Sequence, residues 1–340
     1  MPTLKNLRGL LIAPAMLLAG CNTVLLNPSG DIANQQGRLI VVSTVLMLLI
    51  IIPVLFLVFY FAWRYRHGSE TAKKEYSPNW DHSVQLELAI WGAPLLIIIA
   101  LGAVTWISTH TLDPYRQLTR LDAKRPIPAD AQPITVEVVA LDWKWLFIYP
   151  DQGIALVNEL AAPVDVPIHF KITSSSVMNS FFIPALAGQI YAMPGMETKL
   201  HAVINQPGVF DGFSANYSGE GFSGMRFKFH GMSSADFGRW VERTKAGGAA
   251  LDRPTYLKLE QPSERDPVRR YGSVAPDLYQ AILNRCVDTS KMCMNQMMAI
   301  DAQGGMGKPG AHNTASKPWQ PDNNKSPMRT YVAAMCTPRD

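Results

Sequence analysis

Residues 134–150, ITVEVVALDWKWLFIYP, decide what this chain can fold into. The stretch is rich in β-branched and aromatic side chains, which pack well on a pleated, half-buried surface. The same texture returns in VDVPIHFKITSS (164–175), ETKLHAVINQPGVFDGFSAN (197–216) and MRFKFHGM (225–232). These are short strands with period-2 stretches, separated by Pro and Gly turns at intervals of roughly ten residues. That spacing signals an all-β sandwich or barrel, placed over residues 131–232.

N-terminal to this domain the composition changes twice. Residues 109–130 form a Pro-bearing linker, and before it lie two long apolar segments, 39–63 and 86–108. The first carries no charged residue. At 1.5 Å per residue each spans a hydrocarbon core of about 30 Å. Pro53 and Pro94 interrupt them, which membrane helices tolerate where a neighbour satisfies the freed backbone groups. Trp63, Tyr65, Trp80 and Trp106 lie near their ends, where amphipathic rings favour the interface. The connection 64–85 carries Arg64, Arg66, His67, Lys73 and Lys74 and reads as the cytoplasmic side. Residues 21–38 and everything beyond the second helix are then expected on the periplasmic side.

The first 20 residues resemble a lipoprotein signal peptide. Lys5 and Arg8 precede the short apolar run 10–18, and Leu18-Ala19-Gly20-Cys21 follows. Cys21 is the residue expected to be acylated. The plain alternative is an apolar segment that happens to contain a cysteine.

Residues 233–290 are expected to be a helical extension, and 291–340 a disordered tail rich in Gly, Pro, Asn, Lys and Met. An amphipathic helix is predicted from Ser233 to Lys245, capped by Ser233 or Ser234 and stopped at Gly247-Gly248. PTYLKLEQPSERDP (254–267) reads as a loop or short turn, and 277–286 as another helix. Cys286 and Cys293 can pair if a turn brings them together, leaving Cys336 over. Met292, Met294, Met297 and Met298 beside Cys293 also suit a soft Cu(I) ion. The net charge of +4 includes no basic run, which excludes a nucleic-acid partner. The seven histidines, among them His169, His201 and His230, show no metal-ligand spacing. No phosphate loop or nucleophile–base pair is visible.

Two membrane helices followed by this β-domain resemble subunit II of the haem–copper respiratory oxidases, with its cupredoxin-like periplasmic domain. The likeness covers about 30 to 265. In the cytochrome c oxidase branch, Asp-Val-x-His-Ser and Cys-Ser-x-x-Cys-Gly-x-x-His-x-x-Met loops hold a dinuclear copper centre. Aligned on that pattern, Asn179 stands at the first His. Ser214 and Ser218 stand at the bridging Cys positions, Asn216 at the backbone-carbonyl ligand and Phe222 at the second His. Met225 alone keeps its ligand type. Bridging thiolates and imidazoles suit a soft copper pair, and one thioether cannot hold it. The resemblance therefore implies no metal here.

NSFFIPALAGQIYAMPGMETKLH (179–201), YSGEGFSGMRFKF (217–229) and YLKLEQPSE (256–264) are similar to subunit II of bacterial cytochrome bo-type ubiquinol oxidases. That resemblance implies a non-catalytic subunit of a proton-pumping complex that oxidises ubiquinol and reduces oxygen to water. Its haems and copper are expected in subunit I. Subunits III and IV and membrane lipids are the further expected partners. Glu87 matches the family's carboxylate at a proton entrance; its plain alternative is a helix-end acid in headgroup water. Trp143, Trp145, Phe147 and Tyr149 match the family's aromatic stretch and read as domain core. Two other functions compete with this one: a copper electron carrier, and a lipoprotein binding or assembly module on a degenerate cupredoxin fold.

Overall fold

The computed structural model describes residues 24–302, apart from 75, 76 and 78. Cys21 and Cys336 lie outside the described residues. Helix α1 spans Asp31–Arg64, a short α2 covers Glu70–Lys74, and α3 spans Val84–Thr111. α1 and α3 are both long and apolar enough to cross a membrane. Their apolar faces stand open, with Phe59 72% and Trp91 76% exposed. A helix of a soluble core would bury such rings, so these faces are made for lipid or for other membrane helices.

α1 begins eight residues before the apolar run 39–63, and its first two turns explain why. Asp31, Ala33 and Gly37 are buried there. The Gly30 and Ala33 amides donate to the carbonyls of Ala185 and Leu186, at 2.8 and 3.4 Å. These turns pack on the β-domain, and only the turns beyond them are apolar all round.

The β-domain is a sandwich. Its strands are β1 (Ile134–Leu141), β2 (Lys144–Tyr149), β3 (Ile154–Val157), β4 (Glu159–Pro163), β5 (Ile168–Ser174) and β6 (Asn179–Phe182). Then come β7 (Ile190–Ala192), β8 (Thr198–Ala202), β9 (Gly208–Ser214) and β10 (Arg226–Met232). Helix α4 (Ser234–Gly247), β11 (Ala249–Leu251), α5 (Arg253–Glu260), β12 (Arg269–Val274), α6 (Leu278–Leu283) and α7 (Met294–Ala302) complete the described chain. One sheet runs β11-β12-β3-β2-β1-β5-β8 and the other β4-β10-β9-β6-β7. β1 lies antiparallel to β2 and parallel to β5, with Glu137 beside Ile148 and Lys171.

The alternation of β1 to β3 serves two cores. Val136, Val138, Trp145, Phe147 and Tyr149 face the second sheet and join its Phe181, Phe227 and Phe229. Val139, Leu141, Leu146, Ile148 and Val157 face outward, where Tyr256, Leu259, Leu278 and Ile282 cover them. Both faces of this sheet centre are buried, and its strands accordingly read as nearly continuous apolar runs.

The segment 233–290 is therefore not a purely helical extension. β11 and β12 add two strands to the larger sheet, and β12 pairs with β3 through Tyr271 and Ala155. The stretch expected as a loop from Pro254 contains α5, whose Asp252 side chain accepts from the Thr255 amide at 2.9 Å. α7 lies within 291–340, the stretch expected to be disordered. Its Met297 amide donates to the Cys293 carbonyl, and Cys293 is bonded to Cys286, so the turn is anchored to the domain. Ser233 caps α4, its hydroxyl accepting from the Asp236 amide at 3.1 Å.

Candidate functional site

The loops that resemble a copper site meet at one end of the sandwich. Asn179 opens β6 and Ser214 closes β9, on neighbouring strands of the smaller sheet. Both are almost fully buried. The Ser214 hydroxyl lies 3.1 Å from Asn179 Oδ1 and 3.2 Å from the Asn216 carbonyl oxygen, so its one proton is shared between two acceptors. Asn179 Nδ2 donates to the Val177 carbonyl, and Asn216 Nδ2 to the carbonyl of Met178, each at 3.2 Å. Met225 is fully buried, and its carbonyl accepts from the Ser214 amide at 3.3 Å. Asn179, Ser214, Asn216 and Met225 thus come together.

Ser218 and Phe222 are held differently. The Ser218 carbonyl accepts from Trp143 Nε1 at 3.0 Å, while its hydroxyl is buried with no partner among the described residues. Phe222 belongs to a 3-10 turn, Glu220–Gly224, and packs edge-on against Tyr217 at 5.6 Å. Trp143 is the wall of this loop. It turns between β1 and β2 with φ +66° and lies so close that a Cβ on Gly221 would sit 2.6 Å from its ring. The glycines of this loop therefore make room for an indole. Sequence reading placed Trp143 with the core aromatics and missed this contact, since nothing local marks a positive φ at a tryptophan.

These residues do not fit a copper pair. The groups that meet are the Ser214 hydroxyl, the Asn179 amide and the Asn216 carbonyl, which satisfy one another, while Met225 joins them through its own carbonyl. Thiolate and imidazole are both missing from the cluster, and a soft dinuclear centre requires them. Among the described residues no group of three or more His, Cys, Asp or Glu could hold a metal ion. His169 and His201 stack across β5 and β8 at 4.5 Å. Burial first, then Lys171 and Lys199, push the His169 pKa down.

Glu87 sits apart, in the first turn of α3. Its carboxylate pairs with His82 Nδ1 at 2.7 Å, and the two side chains are 49% and 61% exposed. Nothing in the described chain brings it near the loops of the β-domain. Cys286 and Cys293 form a disulfide, which resolves the choice left open between pairing and a thiol ligand.

Two protein-family models match this chain. The periplasmic domain of cytochrome c oxidase subunit II matches residues 152–230, and the COX aromatic-rich motif matches 245–290. A cytochrome bo(3) ubiquinol oxidase subunit 2 from Pseudomonas putida is 50% identical over 270 residues, 79% of this chain and 82% of that protein. The chain belongs to the ubiquinol oxidase subunit 2 family. Another relative of that name, from Pseudomonas aeruginosa, is 50% identical and covers 82% of this chain and 81% of its own. A ubiquinol oxidase subunit 2 from Acetobacter aceti is 48% identical, covering 80% and 85%. The aromatic-rich match falls on the segment that supplies Tyr256, Tyr271 and Tyr279 to the outer core. In this subunit 2 chain, that segment is part of the folded β-domain.

Proposed function

We propose that this chain is the non-catalytic second subunit of a proton-pumping complex that oxidises ubiquinol and reduces oxygen to water. One observation carries the reading. A chain of this family keeps the loop 214–225, buried at Ser214 and Met225, yet Ser214, at a bridging-ligand position, is a hydroxyl bonded to the Asn179 side chain and the Asn216 carbonyl. Such a loop offers no route for an electron from cytochrome c, so electrons must enter the complex elsewhere. Haems and copper belong to subunit I in this reading. α1 and α3 clamp that subunit in the inner membrane, with subunits III and IV and lipids around them, and the β-domain caps it from the periplasm. Cys21 carries a lipid anchor. Glu87, at the cytoplasmic end of α3, delivers protons to the path through subunit I.

Oxygen uptake by the complex purified through a tag on this chain tests the proposal. Uptake with ubiquinol and none with reduced cytochrome c is the expected result. Uptake driven by cytochrome c would overturn it. For Glu87, replacement by Ala should slow oxygen uptake and proton translocation while haem still co-purifies with the chain. Unchanged rates would remove Glu87 from the proton path. Intact mass of the purified chain checks Cys21: a diacylglycerol adduct on that residue supports the anchor.

A further inference from the structure

We propose that the outer end of α1 holds one anionic phospholipid, its phosphate between Arg38 and Lys124 and an acyl chain along Val41 and Val42. Two adjoining cavities of about 280 and 450 Å³ share Pro28, Asn34 and Arg38. The first brings Lys124, Asn205 and Gln206 around Arg38. The second is apolar and lined by Leu26, Gly37, Val41 and Val42. Together they make a groove that changes from charged to apolar along the helix, as a lipid does from headgroup to chain.

Its depth is set by the sequence. Arg38 immediately precedes the uncharged run 39–63. A cation there lies at the level of the headgroups when α1 spans the bilayer. The far wall is the segment before α1. The chain passes so close that a Cβ on Gly37 would meet the Leu25 carbonyl at 2.8 Å, while the side chains of Leu25 and Leu26 remain 50% and 61% exposed. Glycine at 37 therefore lets the segment lie against the helix and close the groove on one side.

The charge balance selects the headgroup. The two carboxylates at the mouth are already engaged: Asp31 with Arg120 at 2.9 Å, and Asp122 with Arg125 at 2.5 Å. Arg38 and Lys124 are exposed and have no carboxylate partner among the described residues. Two free cations above an apolar trough complement a phosphate with an attached chain. An apolar helix of a partner subunit would leave both cations unanswered, and a zwitterionic lipid would bring its own cation to them. The inference rests on α1 crossing the membrane and is independent of the oxidase activity.

The test is native mass spectrometry of the full chain in its complex, in mild detergent with dioleoyl-phosphatidylglycerol or dioleoyl-phosphatidylcholine. Wild type should retain one phosphatidylglycerol. The double variant Arg38→Gln, Lys124→Gln should lower that occupancy about tenfold, since each cation near an anionic lipid contributes a several-fold gain. Val42→Trp, which fills the apolar trough and leaves the cations intact, should lower it as well. Inorganic phosphate should not displace the lipid. Equal retention of phosphatidylglycerol by wild type and the double variant would overturn the proposal. So would equal retention of phosphatidylcholine, displacement by phosphate, or a sole lipid found covalently attached at Cys21. Oxygen uptake by the same preparations reports separately on the oxidase reading, and a wild-type unfolding midpoint reports that the variants are folded.

Discussion

Glu137 shows how one residue records the double burial of the sheet. It lies on the outward face of β1, beside Lys171 of β5. Burial, opposed by Lys171 and reinforced by Glu197 and Asp151, pushes its pKa from 4.5 up to about 7. A carboxyl raised in the folded state stabilises most when protonated in both states, below about pH 4.5. That contribution is lost as pH rises through 7. A Glu137→Gln variant has no such loss. Its stability relative to wild type should therefore grow between pH 4.5 and 7, by about 1–2 kcal/mol after allowing for solvent reaching this half-buried site. Denaturant unfolding of both proteins at pH 4.5 and 8 measures the difference, and a constant gap would show that Glu137 titrates normally. The sequence showed Glu137 only as a polar residue in an apolar strand. In the candidate site, the identities at 179, 214, 216, 218, 222 and 225 were legible because a motif fixes their spacing. The hydrogen bonds that replace metal ligation there, and the indole wall of Trp143, were not, because each depends on backbone turns with no local signature.

At the scale of elements, the legible parts were those with strong periodicity or uniform character: the two apolar helices, β1 and β2, and the capped α4. α5 carried a readable start, since Asp252 followed by Pro254 is a helix N-terminus signal. β11 and β12 carried none. Ala249–Leu251 is three residues long, and Arg269–Val274 is half polar; both are strands because β3 offers an open edge. Their pairing makes the segment after α4 part of the domain. Leu278 tests this directly. It is fully buried in the outer core, on α6, against residues from β1 and β2. Leu278→Ala should lower the stability of the whole β-domain by about 3 kcal/mol, through lost burial and the cavity left behind. A single unfolding transition with a shifted midpoint is expected by fluorescence and circular dichroism alike. If the segment were an independent appendage, the variant would instead show an early partial transition and an unchanged main one.

The whole molecule turns on the junction between membrane helix and sandwich. Asp31, at the start of α1, is almost fully buried, with Arg120 at 2.9 and 3.3 Å and Gln35 at 2.7 Å. Arg120 comes from the linker between α3 and β1, so this one carboxylate ties the start of α1 to the chain that joins α3 to the β-domain. No local pattern signals this pair, because the partners are 89 positions apart. A charged hydrogen-bonded pair of this kind contributes mainly by what its loss leaves behind: a buried group without its counter-charge. Asp31→Asn keeps the shape and removes the charge, leaving Arg120 with a neutral acceptor. Neither residue belongs to the two apolar cores, so the sandwich should keep its midpoint of unfolding to within about 0.5 kcal/mol. The junction should loosen. Amide hydrogen exchange at residues 29–36 and 185–189, which bond to one another across the joint, is expected to rise about tenfold, because local opening there loses its ionic tie. In the proposed role, where the β-domain caps subunit I, this joint sets how the cap sits on its partner. Subunit I should therefore dissociate from the variant more readily in detergent, measured as haem retained per chain. Unchanged exchange together with unchanged haem retention would mean that backbone bonds alone fix the angle between helix and domain.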